Sequence, residues 1–314
     1  MNKNTSKDCW IISSGQIGCD NQCIGLADEL NFNYEIKKVK PSKILSITAP
    51  YGLPRRVDSF TGPSPQFIIG AGRKTIPYVR YLKSKLKNEV FTIYLQDPKI
   101  KTENFDFVWA PFHDEIKGEN TFSTLLSPGR VSQDLLKKEI NIWSKDFSNL
   151  PEPFLTVLIG GKSKAFQFSK NECFYILETI SKSIQDGWTP LVSISRRTPQ
   201  KLINEIKEIL EKNPHFFYDS KGDNPYYAFL GISNIALVTP DSVNMISETI
   251  TAGLSTYIFN LECKSKKINK FLSNLIKDGY IKNIDSGLEQ FKFKEINATK
   301  EIAYHLKQII LPST

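Results

Sequence analysis

Short apolar runs alternate with amphipathic stretches along the whole chain of 314 residues. The runs are rich in Ile, Val, Phe and Tyr, which is typical of buried strands, and the stretches between them repeat apolar residues at helical spacing. Strands that alternate with helices predict βαβ units and mostly parallel sheets. The predicted strands are residues 10–13, 43–47, 66–69, 90–95, 105–109, 155–159, 190–194, 216–218, 235–238 and 256–259. The predicted helices include residues 76–86, 131–143, 171–184, 199–210, 243–252 and 268–276.

These strands fit two sheets of about five better than one wide sheet, given the usual size of domains. The best boundary is the segment before Pro151 and Pro153, because two prolines block helix continuation and favour an extended linker. We therefore predict an α/β protein with two Rossmann-like domains, an acceptor-side domain at 1–148 and a nucleotide-sugar domain at 149–314. The last helix, 299–311, can belong to either domain.

The amino-acid composition excludes several classes of protein. Hydrophobic residues make up 40% and charged residues 24%, which is ordinary for a globular protein, and no apolar stretch approaches the ~18 residues of a spanning helix. The polar N-terminus lacks an apolar leader, so we expect a cytoplasmic protein. Five scattered cysteines predict neither a disulfide framework nor a zinc site. The net charge of +8 comes without a motif that reads nucleic acid, but it would suit peripheral contact with an acidic membrane.

Ligands of parallel sheets bind at the carboxyl ends of the strands, so the residues there are the candidates. In the first half, the glycine loop after the first strand and an arginine after the third predict a binding site for the acceptor or for a diphosphate, because N–H groups at the start of a helix attract phosphate. The loop is neither a P-loop nor a dinucleotide fingerprint. Its residues are Gly15, Gly18, Asn21, Gln22 and Arg73.

A transfer reaction also needs a general base. Asp20, Asp97, His113 and Asp114 are the candidates, with a slight preference for Asp20 in the glycine loop. A helix cap for Asp20 and a turn residue for Asp97 are the alternatives.

In the second half, arginines and glycines again stand at strand ends. In a chain that mostly uses lysine, arginine at these positions favours bidentate binding of phosphate or carboxylate. The predicted donor-binding residues here are Gly160, Gly161, Lys162, Ser163, Arg196 and Arg197.

The most specific segment runs from 223 to 255. A buried strand ends in Asp241-Ser242, which is a helix-capping pair, and Glu248 follows near the opening of that helix. The pattern Ser…Glu-x-x-x-Ala-Gly-Leu resembles the donor site of GT-B enzymes such as the peptidoglycan N-acetylglucosaminyltransferase, in which the glutamate binds the ribose hydroxyls. The alternative is a simple cap and a solvated glutamate. The resemblance and position give as donor-binding residues Asn224, Pro225, Asp241, Ser242, Asn244, Met245 and Glu248.

The chain as a whole is similar to the elongated-mitochondria (ELM) type mitochondrial fission proteins of plants and their bacterial relatives. The bacterial members are described as glycosyltransferases of the GT-B type. One departure is Cys19, where the resemblance leads us to expect histidine, so we assign no catalytic role there. The matching blocks are Gly18 to Gln22 with Gly25 to Ala27, Leu95 to Pro98, Phe105 to Asp114, Gly160-Gly161, Ser195 to Thr198, and Asp223 to Tyr226 onward to Glu248.

We therefore expect a metal-independent GT-B glycosyltransferase with an inter-domain cleft, which uses a nucleotide-diphosphate sugar as substrate and has no other cofactor. Its acceptor is unknown, with a lipid or an envelope glycan as candidates, and no nucleic acid partner is expected. The alternative is a non-catalytic adaptor on the same fold, as the resemblance to the plant fission proteins implies. A sugar-nucleotide epimerase is disfavoured here because it would need a dinucleotide fingerprint beside the Tyr81–Lys85 pair.

Overall fold

The computed structural model describes residues 8–54, 60–284 and 287–310, and the chain divides into two compact units. The first unit contains residues 1–130 and 297–314, and the second contains 131–296. Each unit is built on a parallel sheet of six strands, one more than the sequence predicts. Among the described residues, no helix has the length and apolar character needed to cross a membrane.

The sheet of the first unit has the order β2-β1-β3-β4-β5-β6. The chain leaves β1 toward β2 and returns on the other side of β1 to form β3, so the strand order reverses between β1 and β3. Such a switch point opens a crevice at the carboxyl ends of the strands. The strands are β1 (Cys9–Ser13), β2 (Tyr34–Lys38), β3 (Phe67–Ala71), β4 (Phe91–Leu95), β5 (Phe107–Pro111) and β6 (Thr121–Thr124).

Helices α1 (Ile17–Glu29), α2 (Lys43–Thr48) and α3 (Ile76–Leu86) cover this sheet, together with the last helix, α10 (Ala298–Ile310). Buried Ile302 and Leu306 of α10 share one hydrophobic cluster with strand and α1 residues. The Thr299 hydroxyl also donates to the Gly129 carbonyl at 2.9 Å. The C-terminal helix therefore belongs to the first unit.

The sheet of the second unit has the order β12-β11-β10-β7-β8-β9, which is the Rossmann order with its switch point between β7 and β10. Its strands are β7 (Phe154–Ile159), β8 (Thr189–Ile194), β9 (Phe216–Tyr218), β10 (Ile235–Val238), β11 (Ser255–Ile258) and β12 (Ile281–Asn283). Its helices are α4 (Gln133–Phe147), α5 (Lys170–Gln185), α6 (Gln200–Leu210), α7 (Tyr226–Ile232), α8 (Val243–Thr251) and α9 (Lys266–Lys277).

The predicted strand at 43–47 is wrong, because these residues form α2. Ser42 caps the helix by accepting the N–H of Leu45 at 3.2 Å, and Leu45 is the one apolar side chain of the run that is buried. A run this short fits either period. The strand of this region is the preceding β2, which lies at the edge of the sheet. Its charged sequence, YEIKK, lacks the apolar run from which the other strands were predicted.

The division between the units lies at Arg130–Val131, ahead of the predicted boundary at 148–149. The helix before the two prolines, α4, carries Phe147, which packs in one cluster with Phe154 of β7 and Phe229 of α7. α4 ends at Phe147, ahead of the two prolines, and it packs on the second unit.

Candidate functional site

The switch point of the second unit brings the glycine pair that follows β7 against Asp241, which follows β10. The N–H of Gly161 donates to Asp241 Oδ2 at 3.0 Å, and that of Gly160 donates to Thr239 Oγ1 at 2.7 Å. The Thr239 hydroxyl donates in turn to Asp241 Oδ1 at 2.8 Å. A Cβ on Gly160 would lie 2.0 Å from Asp241 Oδ1. Only glycine therefore leaves room for the carboxylate.

Arg197, which follows β8, completes this cluster. Its Nη2 lies 3.0 Å from Asp241 Oδ2, and its Nη1 donates to the Lys162 carbonyl at 3.2 Å. A Cβ on Gly161 would meet the Arg197 carbonyl carbon at 2.1 Å. The Arg197 side chain is 49% exposed, whereas that of Asp241 is 0% exposed. The guanidinium therefore pairs on its inner side and keeps an outer side open to solvent.

Asp241 fills the inner anion position of the cluster. Burial raises the pKa of its carboxyl, and the Gly161 N–H, the Thr239 hydroxyl and the Arg197 charge all oppose that rise. These are the donors that a bound anion would use. A ligand phosphate would therefore meet the outer cations and not the Gly161 N–H.

The outer residues of the glycine loop differ in what they offer. Arg196 is exposed, and in the described parts of the chain no hydrogen bond or ion pair engages its guanidinium. Lys162 is exposed as well. Ser163 instead closes the loop, because its Oγ accepts the N–H groups of Ala165 and Phe166, each at 3.1 Å. Arg196 and Lys162 are thus the open cations beside Arg197.

A tyrosine–carboxylate pair links α7 and α8. The Tyr226 hydroxyl donates to Glu248 Oε2 at 2.6 Å. Burial raises the pKa of Glu248 to about 7, and the Tyr226 hydrogen bond opposes the rise. Burial and the Glu248 charge raise the pKa of Tyr226 well above its ordinary value. Glu248 therefore changes charge near neutral pH, on the second turn of α8.

The other predicted donor residues hold the starts of these two helices. Ser242 caps α8 by accepting the N–H of Met245 at 3.3 Å, as the alternative interpretation expects. Asn224 Oδ1 accepts the first N–H of α7 at 3.1 Å, and buried Pro225 precedes that helix. Asn244 and Met245 are half-buried on the first turn of α8. These residues fix the positions of Tyr226 and Glu248.

At the switch point of the first unit, Ser13 joins the end of β1 to α1. Its hydroxyl donates to Asp20 Oδ2 at 2.8 Å and accepts the N–H of Gly15 at 3.0 Å. Gly15 has a φ of +78°, which only glycine adopts without strain. Burial raises the pKa of Asp20, while the Ser13 hydroxyl and the Lys38 charge oppose the rise. A raised pKa makes a carboxylate a better base.

Three glutamine side chains surround Cys19 beside this loop, and we call Gln16, Gln22 and Gln96 the carboxamide cluster. Gln96 Nε2 donates to Gln22 Oε1 at 3.1 Å and to Cys19 Sγ at 3.5 Å. The Cys19 thiol lies 3.5 Å from its acceptor, Gln16 Oε1. A Cβ on Gly72 would approach Cys19 Sγ to 3.0 Å, so the glycine that directly follows β3 lies at the same place.

Two further features characterise the carboxamide cluster. Gln96 has a φ of +103°, which is rare and costly for a residue other than glycine. Burial raises the pKa of the Cys19 thiol, which keeps it neutral at pH 7. The cluster thus offers neutral hydrogen-bonding groups, and half-buried Gly18 and Asn21 lie on the same first turns of α1.

Arg73 faces backbone carbonyls. Its guanidinium donates to Ile47 O at 3.0 Å and to Ala49 O, at the C-terminal end of α2. Favourable charge at a helix C-terminus explains this placement. Arg73 therefore ties α2 to the end of β3.

The remaining candidate bases lie after β4 and β5. Asp97 Oδ1 accepts the N–H of Lys99 at 2.8 Å and its Oδ2 pairs with the Lys99 ammonium, which is the turn role given as the alternative. His113 and Asp114 are half-buried on a 3₁₀ turn, Phe112–Asp114. Of the four candidates, Asp20 is the one at the switch point.

Among residues 8–54, 60–284 and 287–310, no three His, Cys, Asp or Glu side chains group as a metal site requires. All five cysteines are free thiols, and Cys9 and Cys23 are buried in the core of the first unit.

The fold brings several further groups into these places that were not predicted as site residues. Thr239 follows the predicted strand 235–238, and Gln96 lies in the matching block Leu95 to Pro98, but neither residue has a motif of its own that marks it as a site residue. Tyr226 follows Asn224-Pro225 in one of the matching blocks, which was the available signal. Its partner Glu248 is 22 residues away, so the pair becomes visible only in the folded chain.

Comparison with known proteins places these features in a family and a fold. The family model of Mitochondrial fission ELM1 matches residues 17–310, which include all the blocks of the predicted resemblance, so that prediction is confirmed. The chain is 26% identical to uncharacterized protein RP120 of Rickettsia prowazekii (strain Madrid E), over 95% of this chain and 97% of that protein. It is 22% identical to mitochondrial fission protein ELM1 of Arabidopsis thaliana, over 78% of this chain and 64% of that protein.

Solved structures show the fold. The UDP-GlcNAc 2-epimerase of Methanocaldococcus jannaschii matches 96% of this chain and 98% of its own, with a TM-score of 0.59 and 11% identity. The Neisseria meningitidis UDP-GlcNAc 2-epimerase bound to UDP-GlcNAc matches 96% and 90%, with a TM-score of 0.52 and 12% identity. The predicted class, two Rossmann-like units of the GT-B type, is confirmed. Epimerases also have this fold, so the fold alone does not distinguish a transferase from an epimerase.

Proposed function

The chain belongs to the mitochondrial fission ELM1 family, and we propose that it is a glycosyltransferase that takes its sugar from a nucleoside-diphosphate donor held by the second unit. The observation that carries the proposal is the convergence of Arg197, Asp241 and the Gly160–Gly161 pair at the switch point of that unit, where parallel sheets bind ligands.

The open cations would hold the diphosphate. Arg196 and the outer side of Arg197 present planar forks, and Lys162 adds a third charge beside them. Cations at a leaving diphosphate stabilise the charge that develops as the glycosidic bond to phosphate breaks. Asp241 would orient Arg197 from the inner side of the cluster and would leave the outer side of the guanidinium free to bind the ligand.

Glu248 would bind the ribose. A carboxylate accepts hydrogen bonds from two neighbouring hydroxyls, and Tyr226 fixes the carboxylate by donating to Oε2. In the M. jannaschii UDP-GlcNAc 2-epimerase, a protein of this fold, the crystal contained UDP-GlcNAc and UDP. We propose the same ligand class for this chain.

Asp20 is the base we propose for an acceptor hydroxyl. Its pKa is raised by burial, and the Ser13 hydroxyl orients one carboxylate oxygen. The neutral carboxamide cluster beside it suits a ligand rich in hydroxyl groups, because carboxamides both donate and accept. A lipid-linked sugar or an envelope glycan would be such an acceptor.

The second candidate function is a non-catalytic adaptor. One observation favours it: Asp241 already satisfies the Gly161 N–H and the inner side of Arg197, which a phosphate would otherwise bind. An Arabidopsis relative is named a mitochondrial fission protein, and this chain spans 64% of its length. An adaptor would bind no nucleotide sugar.

A thermal-shift screen separates the two. We expect at least one of the UDP-, GDP-, ADP- and CMP-sugars to raise the unfolding temperature, because a ligand that binds only the folded state stabilises it. Free sugars and nucleosides, which lack the diphosphate, are the matched controls and should have no effect. If none of the nucleotide sugars stabilises the protein at millimolar concentration, the transferase proposal fails and the adaptor stands.

A further inference from the structure

The first unit carries a group of exposed apolar side chains on α2 and the segment after it. Ile44 and Ile47 are each 75% exposed, Tyr51 is 72% exposed and Leu53 is 58% exposed. We call these four residues the apolar patch. Ile44 and Ile47 share one side of α2, because a three-residue step aligns on a helix, and Tyr51 and Leu53 follow beyond its C-terminal end, where Ala49 leaves the helical conformation with a ψ of 140°.

The backbone beneath the apolar patch is anchored. Arg73 donates to the carbonyls of Ile47 and Ala49, and Arg80 donates to Pro50 O at 2.9 Å and Tyr51 O at 3.2 Å. Leu45, between the two exposed isoleucines, is buried in the core. Single exposed apolar residues are ordinary, but four on one anchored segment indicate a contact surface.

The charge around the apolar patch has one sign. From Ile36 to Leu53 the sequence contains four lysines and no acidic residue. Lys37 is buried and pairs with Glu35, whereas Lys38, Lys40 and Lys43 are exposed. Lys43 lies one helical step before Ile47 on α2, and Lys40 lies in the segment that precedes the helix. The surface therefore fits a partner that is apolar inside and anionic outside.

We propose that α2 and the turn after it dock the protein on an anionic lipid surface, with the apolar patch among the acyl chains and Lys40 and Lys43 at the headgroups. Exposed isoleucines, an interfacial tyrosine and flanking lysines are the combination that binds such a surface. A specific protein interface takes about 20–30 residues on each side, and a patch of four apolar side chains falls short of that.

Vesicle sedimentation with the full chain tests the proposal. We expect binding to vesicles of phosphatidylcholine with phosphatidylglycerol, weaker binding to phosphatidylcholine alone, and loss of binding as salt rises. The double variant Ile44→Glu/Ile47→Glu should bind at least about tenfold more weakly, because two apolar anchors become charges of the lipid's sign. Ile142→Glu, the same change at an exposed isoleucine of α4, should bind like the wild type.

Variants of the two lysines are an independent test, because they leave the apolar patch intact. Lys40→Ala and Lys43→Ala should each lower binding to the anionic vesicles about fivefold, since one lysine near such a surface contributes about 1 kcal/mol. Thermal unfolding of each variant checks that it is folded. If the glutamate double variant is unstable, the two lysine variants decide the test. A wild type that binds no anionic vesicle, or variants that bind equally well, would overturn the proposal and assign the patch to a protein partner. Nucleotide-sugar binding should be unchanged in all of them.

Discussion

The two switch points of this protein have the same architecture and different chemistry. In the second unit, charged groups meet: Arg197 pairs with buried Asp241. In the first unit, the groups around Cys19 are neutral carboxamides, and Arg73 turns away to the carbonyls of α2. A charged site suits the diphosphate of a nucleotide, and the neutral carboxamides beside Asp20 suit hydroxyl groups, so the difference supports our proposal that the second unit holds the donor.

The glycines at the two switch points are also required for different reasons. Gly15 of the first unit has a positive φ and no atom within 4 Å of a built Cβ, so its conformation demands glycine. Gly160 and Gly161 of the second unit are demanded by the close approach of Asp241 and of the Arg197 backbone. A glycine required by its positive φ and a glycine pair required by close packing therefore look alike in sequence.

The largest expected effect separates these two kinds of glycine. Gly161→Ala should lower the free energy of unfolding by about 3 kcal/mol or more, because its Cβ would overlap the Arg197 backbone, which must shift. Gly15→Ala should cost only about 1–2 kcal/mol, the penalty of a left-handed alanine. Urea unfolding of both variants measures this. Equal losses would mean that the second glycine loop is not closely packed.

The next effect concerns the donor. Arg197→Ala should weaken binding of the nucleotide sugar by about ten- to a hundredfold, the loss of a charge-assisted hydrogen bond, and Arg196→Ala by a similar or smaller factor. The control Lys212→Ala removes the same charge beyond the far end of α6, and Asp20→Asn alters the first unit. Calorimetric titration should find wild-type affinity in both controls. A loss of nucleotide-sugar affinity in Asp20→Asn would mean that the first unit also takes part in donor binding.

Glu248 should make donor binding depend on pH. Because burial raises its pKa to about 7, its carboxylate becomes available as pH rises, and affinity should increase about tenfold from pH 6 to pH 8. Glu248→Gln should bind weakly at both pH values. Tyr226→Phe removes the hydrogen bond that opposes the raised pKa, so the rise should move to higher pH. The intact nucleotide sugar is the ligand to use, since a terminal phosphate titrates near pH 6 itself.

The same raised pKa affects the unliganded protein. A carboxyl whose pKa is higher in the folded state stabilises the fold below its unfolded pKa, and that contribution is lost as pH rises from about 4.5 to 7. Glu248→Gln should flatten this part of the stability profile in urea unfolding. An unchanged slope would mean that Glu248 titrates normally.

The smallest effect concerns the strained residue of the carboxamide cluster. Gln96→Gly relieves the positive φ and Gln96→Ala does not, so the glycine variant should be more stable by about 1 kcal/mol, although both lose the bonds to Gln22 and Cys19. Neither should change nucleotide-sugar affinity by more than about twofold, a difference below 0.5 kcal/mol. A larger loss of affinity would give the first unit a part in donor binding.

The central strands could be predicted from sequence, whereas three of the four edge strands could not. β7 and β10 are buried along their whole length and consist of apolar residues apart from Thr156, because both faces of a central parallel strand are covered. The three strands that were missed, β2, β6 and β12, are edges of their sheets, and their polar residues weaken the apolar signal. The run at 43–47 was misassigned because it is too short to show its period; it forms α2, in which Leu45 is buried and the two isoleucines are exposed.

The candidate site shows a similar limit. Strand alternation predicts that Gly161, Arg197 and Asp241 lie at one edge of a sheet, since all three follow strands. No local pattern shows that Asp241 is the anion that Gly161 and Arg197 contact. This contact depends on the distance between β7 and β10 in the folded chain. Ser163 and Ser242 carry the right residue type for ligand binding, but they cap a turn and a helix, which is the commoner use of serine.

Hydrogen–deuterium exchange would locate the bound donor on the chain. The full protein would be compared with and without a saturating amount of the nucleotide sugar selected by the stability screen. We expect slower exchange in peptides covering 160–163, 196–198 and 241–248, and unchanged exchange at 13–22. Protection confined to 13–22, or no protection of the second unit at saturation, would contradict the proposal that the second unit holds the donor.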